Sequence, residues 1–249
     1  MSQLDGEPNY LYHLCPPDQN NTASDSYIYN VAVLFNQKLN NGGSRSIHSG
    51  EDPDTVYGLY LCRFDITADR CQNCIGIATK RLVKECKSSK TAIIWFDECM
   101  VRYSNRNSSF STFETEPALY VWNPNNITQP DVFAEILNQT LHKAIGMLSA
   151  SKYGTQNVSI SNNKTLYSFV QCLPDLSIEH CRACLNLAVN RVLTQDSVKG
   201  KRGGRYLNPS CNTRYELDRF YGDPTPTVTA PAPNTPPNNS GNPSGEFTY

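Results

Sequence analysis

The chain is poor in the features that would point to an enzyme, a membrane span or a nucleic-acid binder. Among 249 residues the acidic and basic side chains nearly cancel, 23 against 22, for a formal net charge of -1. A neutral chain offers no electrostatic reason to expect DNA or RNA as a partner. Apolar runs are short; the longest kind, Ala92-Ile93-Ile94-Trp95-Phe96, falls far below the roughly 20 residues a membrane helix needs. No G-x-S-x-G elbow, H-E-x-x-H pair, P-loop or kinase motif occurs, so no catalytic residue is assigned and no cofactor is expected. The four histidines, His13, His48, His142 and His180, show no H-x3-5-H spacing. The start, MSQLDGEPNYLYHL, lacks the basic and apolar regions of a signal peptide, and a leader is expected to precede it in the native product.

What the chain does have is cysteine. Its ten cysteines allow complete pairing. Seven Asn-x-Ser/Thr sequons, at Asn20, Asn107, Asn126, Asn138, Asn157, Asn163 and Asn238, are candidate glycosylation sites. No single sequon decides anything, but sequons and even cysteines together favour an extracellular, glycosylated protein.

The stretch CRFDITADRCQNC, from Cys62 to Cys74, recurs as CLPDLSIEHCRAC, from Cys172 to Cys184. The match extends to Asp65 and Asp175, Thr67 and Ser177, Ala78 and Ala188, Arg81 and Arg191, and to Tyr57 and Tyr167. Downstream, Cys99-Met-Val-Arg102-Tyr103 answers Cys211-Asn-Thr-Arg214-Tyr215. Two tandem copies of one unit follow, dividing near residues 113 to 118. We expect an extension over 1–8, a first domain over 9–113, a second over 118–222, and a Pro/Asn/Ser-rich linker over 223–249 that buries no core.

Thr67 and Ser177 read as N-caps of helices running through 71–83 and 181–193. Earlier helices are expected from about Ser24, with Ile28, Val31, Leu34 and Phe35 on one side, and over 129–148. Residues 59–64, 93–103, 166–172 and 205–215 have the aromatic and β-branched content of strands. Each copy is therefore α+β, two helices packed on an antiparallel sheet.

A structural zinc site needs four ligands, commonly two close pairs; each copy has one C-x2-C and no second, so no metal is expected. A redox C-x-x-C would leave the other cysteines unexplained, and structural bridges resist reduction. Disulfides remain. The first copy holds Cys15, Cys62, Cys71, Cys74, Cys86 and Cys99, whereas the second has Trp122 in place of Cys15 and Asp196 in place of Cys86. Two cysteines lost together were bonded together, which gives Cys15–Cys86 and leaves three arrangements for the rest. Cys71–Cys74 would be a tight bond between neighbours on one helix. Cys62–Cys71 with Cys74–Cys99 is preferred, with Cys172–Cys181 and Cys184–Cys211 in the second copy. Trp122 is expected to fill the space the lost bridge left.

The doubled C-x8-C-x2-C motif, with FDECMVRYSNR in the first copy and GGRYLNPSCNTRYELDRFY in the second, resembles the extracellular region of plant cysteine-rich receptor-like kinases. The domain type is the ginkbilobin-like, or stress-antifungal, cysteine-rich domain, shared with cysteine-rich repeat secretory proteins and plasmodesmata-located proteins. The resemblance covers about residues 9 to 222, supports the disulfide pairing above, and implies five strands per sheet. It also implies a mannose-type site formed by an Asn, an Arg and a Glu. In the first copy those positions are Pro16, Ile93 and Ser104; in the second they are Asn123, Arg205 and Glu216, which match. Amide, guanidinium and carboxylate together donate to and accept from sugar hydroxyls. Arg205 and Glu216 on neighbouring strands would equally suit a cross-strand ion pair. Arg102 and Arg214 read as structural, and Lys199, Lys201 and Arg202 as a solvated turn.

The resemblance thus implies an apoplastic recognition module of a stress or defence receptor, attached to the membrane only through a transmembrane helix beyond this chain. Its partner would be a glycan, another apoplastic ligand or a second ectodomain. A secreted antifungal mannose-binding lectin and a structural cell-surface module are the alternatives.

Overall fold

The computed structural model describes residues 6–16, 22–36, 44–106, 113–161 and 164–222. Asn20, Asn107, Asn163, Asn238 and the 223–249 segment lie outside the described residues. The first half runs β1 (Tyr10–Leu14), α1 (Asp25–Asn36), β2 (Ser44–Ser49), β3 (Val56–Cys62), α2 (Ala68–Glu85), β4 (Ala92–Phe96) and β5 (Cys99–Ser104). The second runs β6 (Leu119–Trp122), α3 (Pro130–Gly146), β7 (Tyr153–Ser161), β8 (Lys164–Cys172), α4 (Ile178–Thr194), β9 (Gly204–Leu207) and β10 (Cys211–Glu216). Each half forms a five-stranded antiparallel sheet, ordered β1-β4-β5-β3-β2 and β6-β9-β10-β8-β7. The repeat seen in the cysteines is a repeat of topology.

The helices form where capping and apolar spacing agree. Thr67 Oγ1 accepts from the Arg70 amide at 3.4 Å and Ser177 Oγ from the His180 amide at 3.1 Å, satisfying donors that a first helical turn leaves open. Ser24 Oγ caps α1 in the same way, accepting from the Tyr27 amide at 2.9 Å. Pro130 opens α3, where its missing N–H costs nothing. Along α2, Cys71, Cys74, Ile75, Ala78 and Leu82 are buried, and along α4 Cys181, Cys184, Leu185, Ala188 and Val192; this i, i+3, i+4, i+7, i+11 spacing puts one stripe against a sheet. The disulfides are Cys15–Cys86, Cys62–Cys71, Cys74–Cys99, Cys172–Cys181 and Cys184–Cys211, so each motif staples the N-terminal part of its helix to two strands of its sheet, and in the first copy Cys86 ties down the helix C-terminus as well.

Three sequence expectations are corrected. Residues 93–103 and 205–215 are hairpins, not single strands. The first turns at Asp97-Glu98; in the second, Asn208 Oδ1 accepts from the Ser210 and Cys211 amides at 2.8 and 2.7 Å, making the turn with its side chain. The edge strands β1, β2, β6 and β7 were not singled out in the sequence; SRSIHS carries a single apolar residue, whereas YLYHL and LYVW are apolar and aromatic but only 5 and 4 residues long. Trp122 is 45% exposed. It opposes Gly204 at the end of β6, and the second core closes without it.

The sheets alternate in their central strands, with irregularities in register confined to β1 and the β7–β8 end. In the first, Val56, Tyr60, Ala92, Ile94, Phe96, Val101 and Tyr103 face the helices and form one core. Leu59, Ile93, Trp95 and Met100 point the other way and belong to a continuous core with the second half. Two faces of one sheet thus serve two purposes: one closes its own unit, and the other docks the neighbour.

Candidate functional site

The second copy's candidate residues lie on the face of its sheet opposite its helices. The Asn123 amide donates to the Gly203 carbonyl at 2.9 Å, and Tyr215 opposes Gly204. Asn123, Gly203 and Glu216 therefore form one row across β6, β9 and β10. Gly203 matters here: a Cβ on it would lie 1.8 Å from Glu216 Oε2, so only glycine lets the carboxylate fold over the strand. Asn123 is half-buried, and its Oδ1 accepts from the Asn125 amide at 2.9 Å.

Arg205 lies in the next row, opposite Val121 on β6 and Arg214 on β10. Its side chain leans away from Glu216. Nε donates to Asn212 Oδ1 at 3.1 Å, and Nη1 donates to Asp97 Oδ1 at 2.7 Å. The structure therefore puts Asn123 and Glu216 in one row, on either side of Gly203, and takes Arg205 elsewhere. The cross-strand Arg205–Glu216 ion pair does not form: Glu216 Oε1 instead accepts from Arg214 Nε on its own strand at 3.2 Å, and Arg205 is taken by Asn212 and Asp97.

The carboxylate partner belongs to the first copy. Asp97, at the tip of the β4–β5 hairpin, receives three arginines: Arg205 and Arg214 Nη1 on Oδ1, each at 2.7 Å, and Arg63 Nη1 on Oδ2 at 3.1 Å. Arg63 is in turn held by Asp65 through Nε at 2.6 Å and Nη2 at 3.1 Å. Three guanidiniums and the carboxylates of Asp65, Asp97 and Glu216 balance in charge. Burial opposes ionisation of Asp97, but Arg205, Arg214 and Arg63 hold the carboxyl below its ordinary value. Burial lowers the Arg205 pKa to about 10 despite the attraction of Asp97, and raises that of Glu216 against the pull of Arg214. Such a cluster is stable only while complete, since each missing partner strands a buried charge.

Around it the two copies are sealed. Gln171 Nε2 donates to the Cys62 carbonyl at 3.0 Å, and the Glu114 amide donates to Ser210 Oγ at 2.9 Å. Phe64 stacks on Tyr153 and Phe169, with centroids 4.4 and 5.4 Å apart. The segment after β10 crosses back, placing Phe220 under the Arg214 guanidinium at 4.2 Å and donating the Gly222 amide to Asp65 Oδ2 at 2.8 Å.

In the first copy, Pro16, Ile93 and Ser104 line a cleft with Arg102, Arg106, Glu114 and Glu116. Arg102 donates to Glu114 Oε2 at 2.7 Å. Arg102 and Arg214 thus play equivalent parts, each binding a carboxylate from outside its own sheet. Their neighbours are equivalent too: Tyr103 OH donates to the Ser89 carbonyl at 3.1 Å, and Tyr215 OH to the Val198 and Lys201 carbonyls at 3.3 and 3.2 Å. The Lys199–Arg202 turn is accordingly anchored; Lys201 Nζ also donates to Asn126 Oδ1 at 2.8 Å. Of the described sequons, Asn126 and Asn157 are exposed and Asn138 is half-buried on α3. Among the described residues no cluster of His, Cys, Asp or Glu could hold a metal, and no helix is long and apolar enough to cross a membrane.

Asp97 and Arg63 escaped sequence reasoning, although a signal existed. Arg205 stands where the first copy has Ile93, and Asp97 stands where the second has Pro209. A cation gained in one copy and an anion present only in the other is the mark of a contact between copies.

A doubled, disulfide-stapled α+β unit, with its repeats joined through their sheets, defines the class as a tandem cysteine-rich domain protein. The salt stress response/antifungal family model matches residues 14–106 and 122–218, and the chain belongs to that family. It is 36% identical over 259 residues to cysteine-rich receptor-like protein kinase 25 of Arabidopsis thaliana, covering 95% of this chain and 38% of that protein. It is 33% identical to an antimicrobial ginkbilobin-2-like protein of Castanea crenata, covering 84% of this chain and 88% of that one. The tandem DUF26 ectodomain of the Arabidopsis thaliana cysteine-rich receptor-like protein PDLP8 superposes with a TM-score of 0.68 at 18% identity, covering 85% of this chain and 99% of that chain. That of PDLP5 superposes at 0.64 and 21%. The fold is a non-catalytic one, and the kinase portion of the longer relatives lies outside this chain.

Proposed function

We propose that the chain is the extracellular recognition module of a plant stress or defence receptor-like kinase. It engages an apoplastic ligand or a second ectodomain, and it carries no chemistry of its own. One observation carries this reading: the two copies share a continuous core and a closed ion cluster, so whatever the outer surface binds is felt by both units. The share of the receptor-like kinase that the chain spans, 38%, fits the sensing part of a longer protein. We propose further that the second copy contributes a mannose-type glycan site at Asn123, Arg205 and Glu216. The row Asn123–Gly203–Glu216 supports it by placing an amide and a carboxylate on either side of a glycine on one face of the sheet.

The secreted antifungal lectin is the second reading, favoured by the likeness to the chestnut protein over 88% of that protein's length. A glycan array tests the site. Mannose-type oligosaccharides are expected to bind the parent protein and to be lost in Asn123→Ala with Glu216→Gln; an array blank for the parent removes the glycan site and with it the lectin. Fungal growth inhibition by the purified chain, expected to be absent, separates receptor module from antifungal effector.

A further inference from the structure

We infer that Asp97 is a built-in competitor for Arg205, so that glycan engagement by the second copy and the closed pairing of the two copies oppose each other. The inference rests on the glycan reading of Asn123, Arg205 and Glu216. Arg205 cannot serve both sides at once. Its guanidinium points along β9 toward Asn212 and Asp97, away from the Asn123–Gly203–Glu216 row. Its side chain is only 6% exposed. To join the other two residues it must swing back along β9 toward Gly203, over which the Glu216 carboxylate lies, and leave Asp97 behind.

The competition is unequal. A sugar hydroxyl is a neutral acceptor, whereas Asp97 is a carboxylate in a partly buried, charge-assisted geometry, which is the stronger bond. A neutral glycan therefore meets the wild-type protein chiefly through Asn123 and Glu216, and recruits Arg205 only when the β4–β5 hairpin withdraws. Withdrawal is not local. Asp97 also holds Arg214 and Arg63, its amide donates to the Asn9 carbonyl at 2.8 Å, and the adjoining Glu98 carbonyl accepts from the Arg63 amide at 2.9 Å. Freeing Arg205 therefore loosens the contact between copies, and binding at one copy becomes a change in how the two are joined. Linkage makes this reciprocal: whatever loosens the pairing tightens the glycan.

The test is oligomannose binding by calorimetry to the full chain, its Asp97→Asn variant, and Asp97→Asn combined with Arg205→Gln, together with hydrogen exchange of the wild-type protein. Tightening by at least tenfold in Asp97→Asn, lost again in the double variant, is the expected result. Wild-type protein saturated with oligomannose is expected to exchange the amides of residues 95–99 faster than free protein. Wild-type binding that Asp97→Asn does not tighten overturns the competition and leaves the glycan site standing, whereas no binding by either protein overturns both. Should Asp97→Asn fail to fold, unchanged exchange at 95–99 on saturation of the wild type overturns the inference by itself.

Discussion

The two copies share topology, helix caps, two disulfides and the Arg-Tyr pair, yet they part at one corner of the sheet. In the first copy that corner is closed covalently and is apolar inside, with Cys15–Cys86, Ala92 and Ile93. In the second the bridge is gone, Trp122 stays 45% exposed, Gly204 and Arg205 replace Ala92 and Ile93, and the order comes from an ion cluster. A disulfide acts within its own unit by restricting the unfolded chain, while an ion pair can be made with a neighbour. The first copy thereby closes this corner within itself, and the second spends its polar residues on the partner.

This contrast can be broken in order of effect. Replacing Cys15 and Cys86 by Ala opens a loop of sequence separation 71 and should destabilise by about 4 kcal/mol on loop entropy, read as a lower urea midpoint under non-reducing conditions. Asp97→Asn leaves Arg205 buried without its anion and should cost about 3 kcal/mol, with faster amide exchange at 205–212 and 61–64. Acid should do part of the same. The Asp97 carboxyl is held below its ordinary value, so its contribution is complete above its unfolded pKa near 4. It is lost only as pH falls through the lower folded value; a melting temperature that drops between pH 7 and 5 would contradict its assignment.

Smaller changes sharpen the contrast. A Cβ on Gly204 would meet Val198 Cγ1 at 2.5 Å and Tyr215 Cε1 at 2.7 Å, so Gly204→Ala should cost roughly 1 to 3 kcal/mol by overpacking. The reverse exchange in the first copy, Ala92→Gly, should cost only about 0.5 to 1 kcal/mol through strand entropy. Tyr103→Phe and Tyr215→Phe should each lose about 1 kcal/mol, and nearly the same amount, because both hydroxyls donate to the backbone of the loop following a helix. Unequal losses would show that the clamps are not equivalent.

Much of the fold was legible because its signals are local or doubled. Thr67 and Ser177 announce helices through a hydroxyl and the amide three residues on. The missing partners of Cys15 and Cys86 name a bond because two absences coincide. The hairpins were misread since a turn made by Asn208 bonding its own backbone looks, in one dimension, like a pause in a strand. Trp122 was misplaced because it was expected to fill the space of the lost bridge, whereas its seat at the end of a short strand decides its exposure.

The candidate site was half legible. Residue types at matched positions picked out Asn123, Arg205 and Glu216, and Gly203 explains why the first and last can stand together. Chain order alone determined the two repeats, their helices and the Cys15–Cys86 bond, since these depend on spacing of a few residues or on comparison of one copy with the other; the remaining pairings were a preference among three arrangements that the folded chain decided. Only the tertiary structure decided what Arg205 touches. Its nearest neighbours on β9 and β10 do not compete with a carboxylate 108 residues away, and a buried guanidinium goes to whichever anion the folded chain brings within reach.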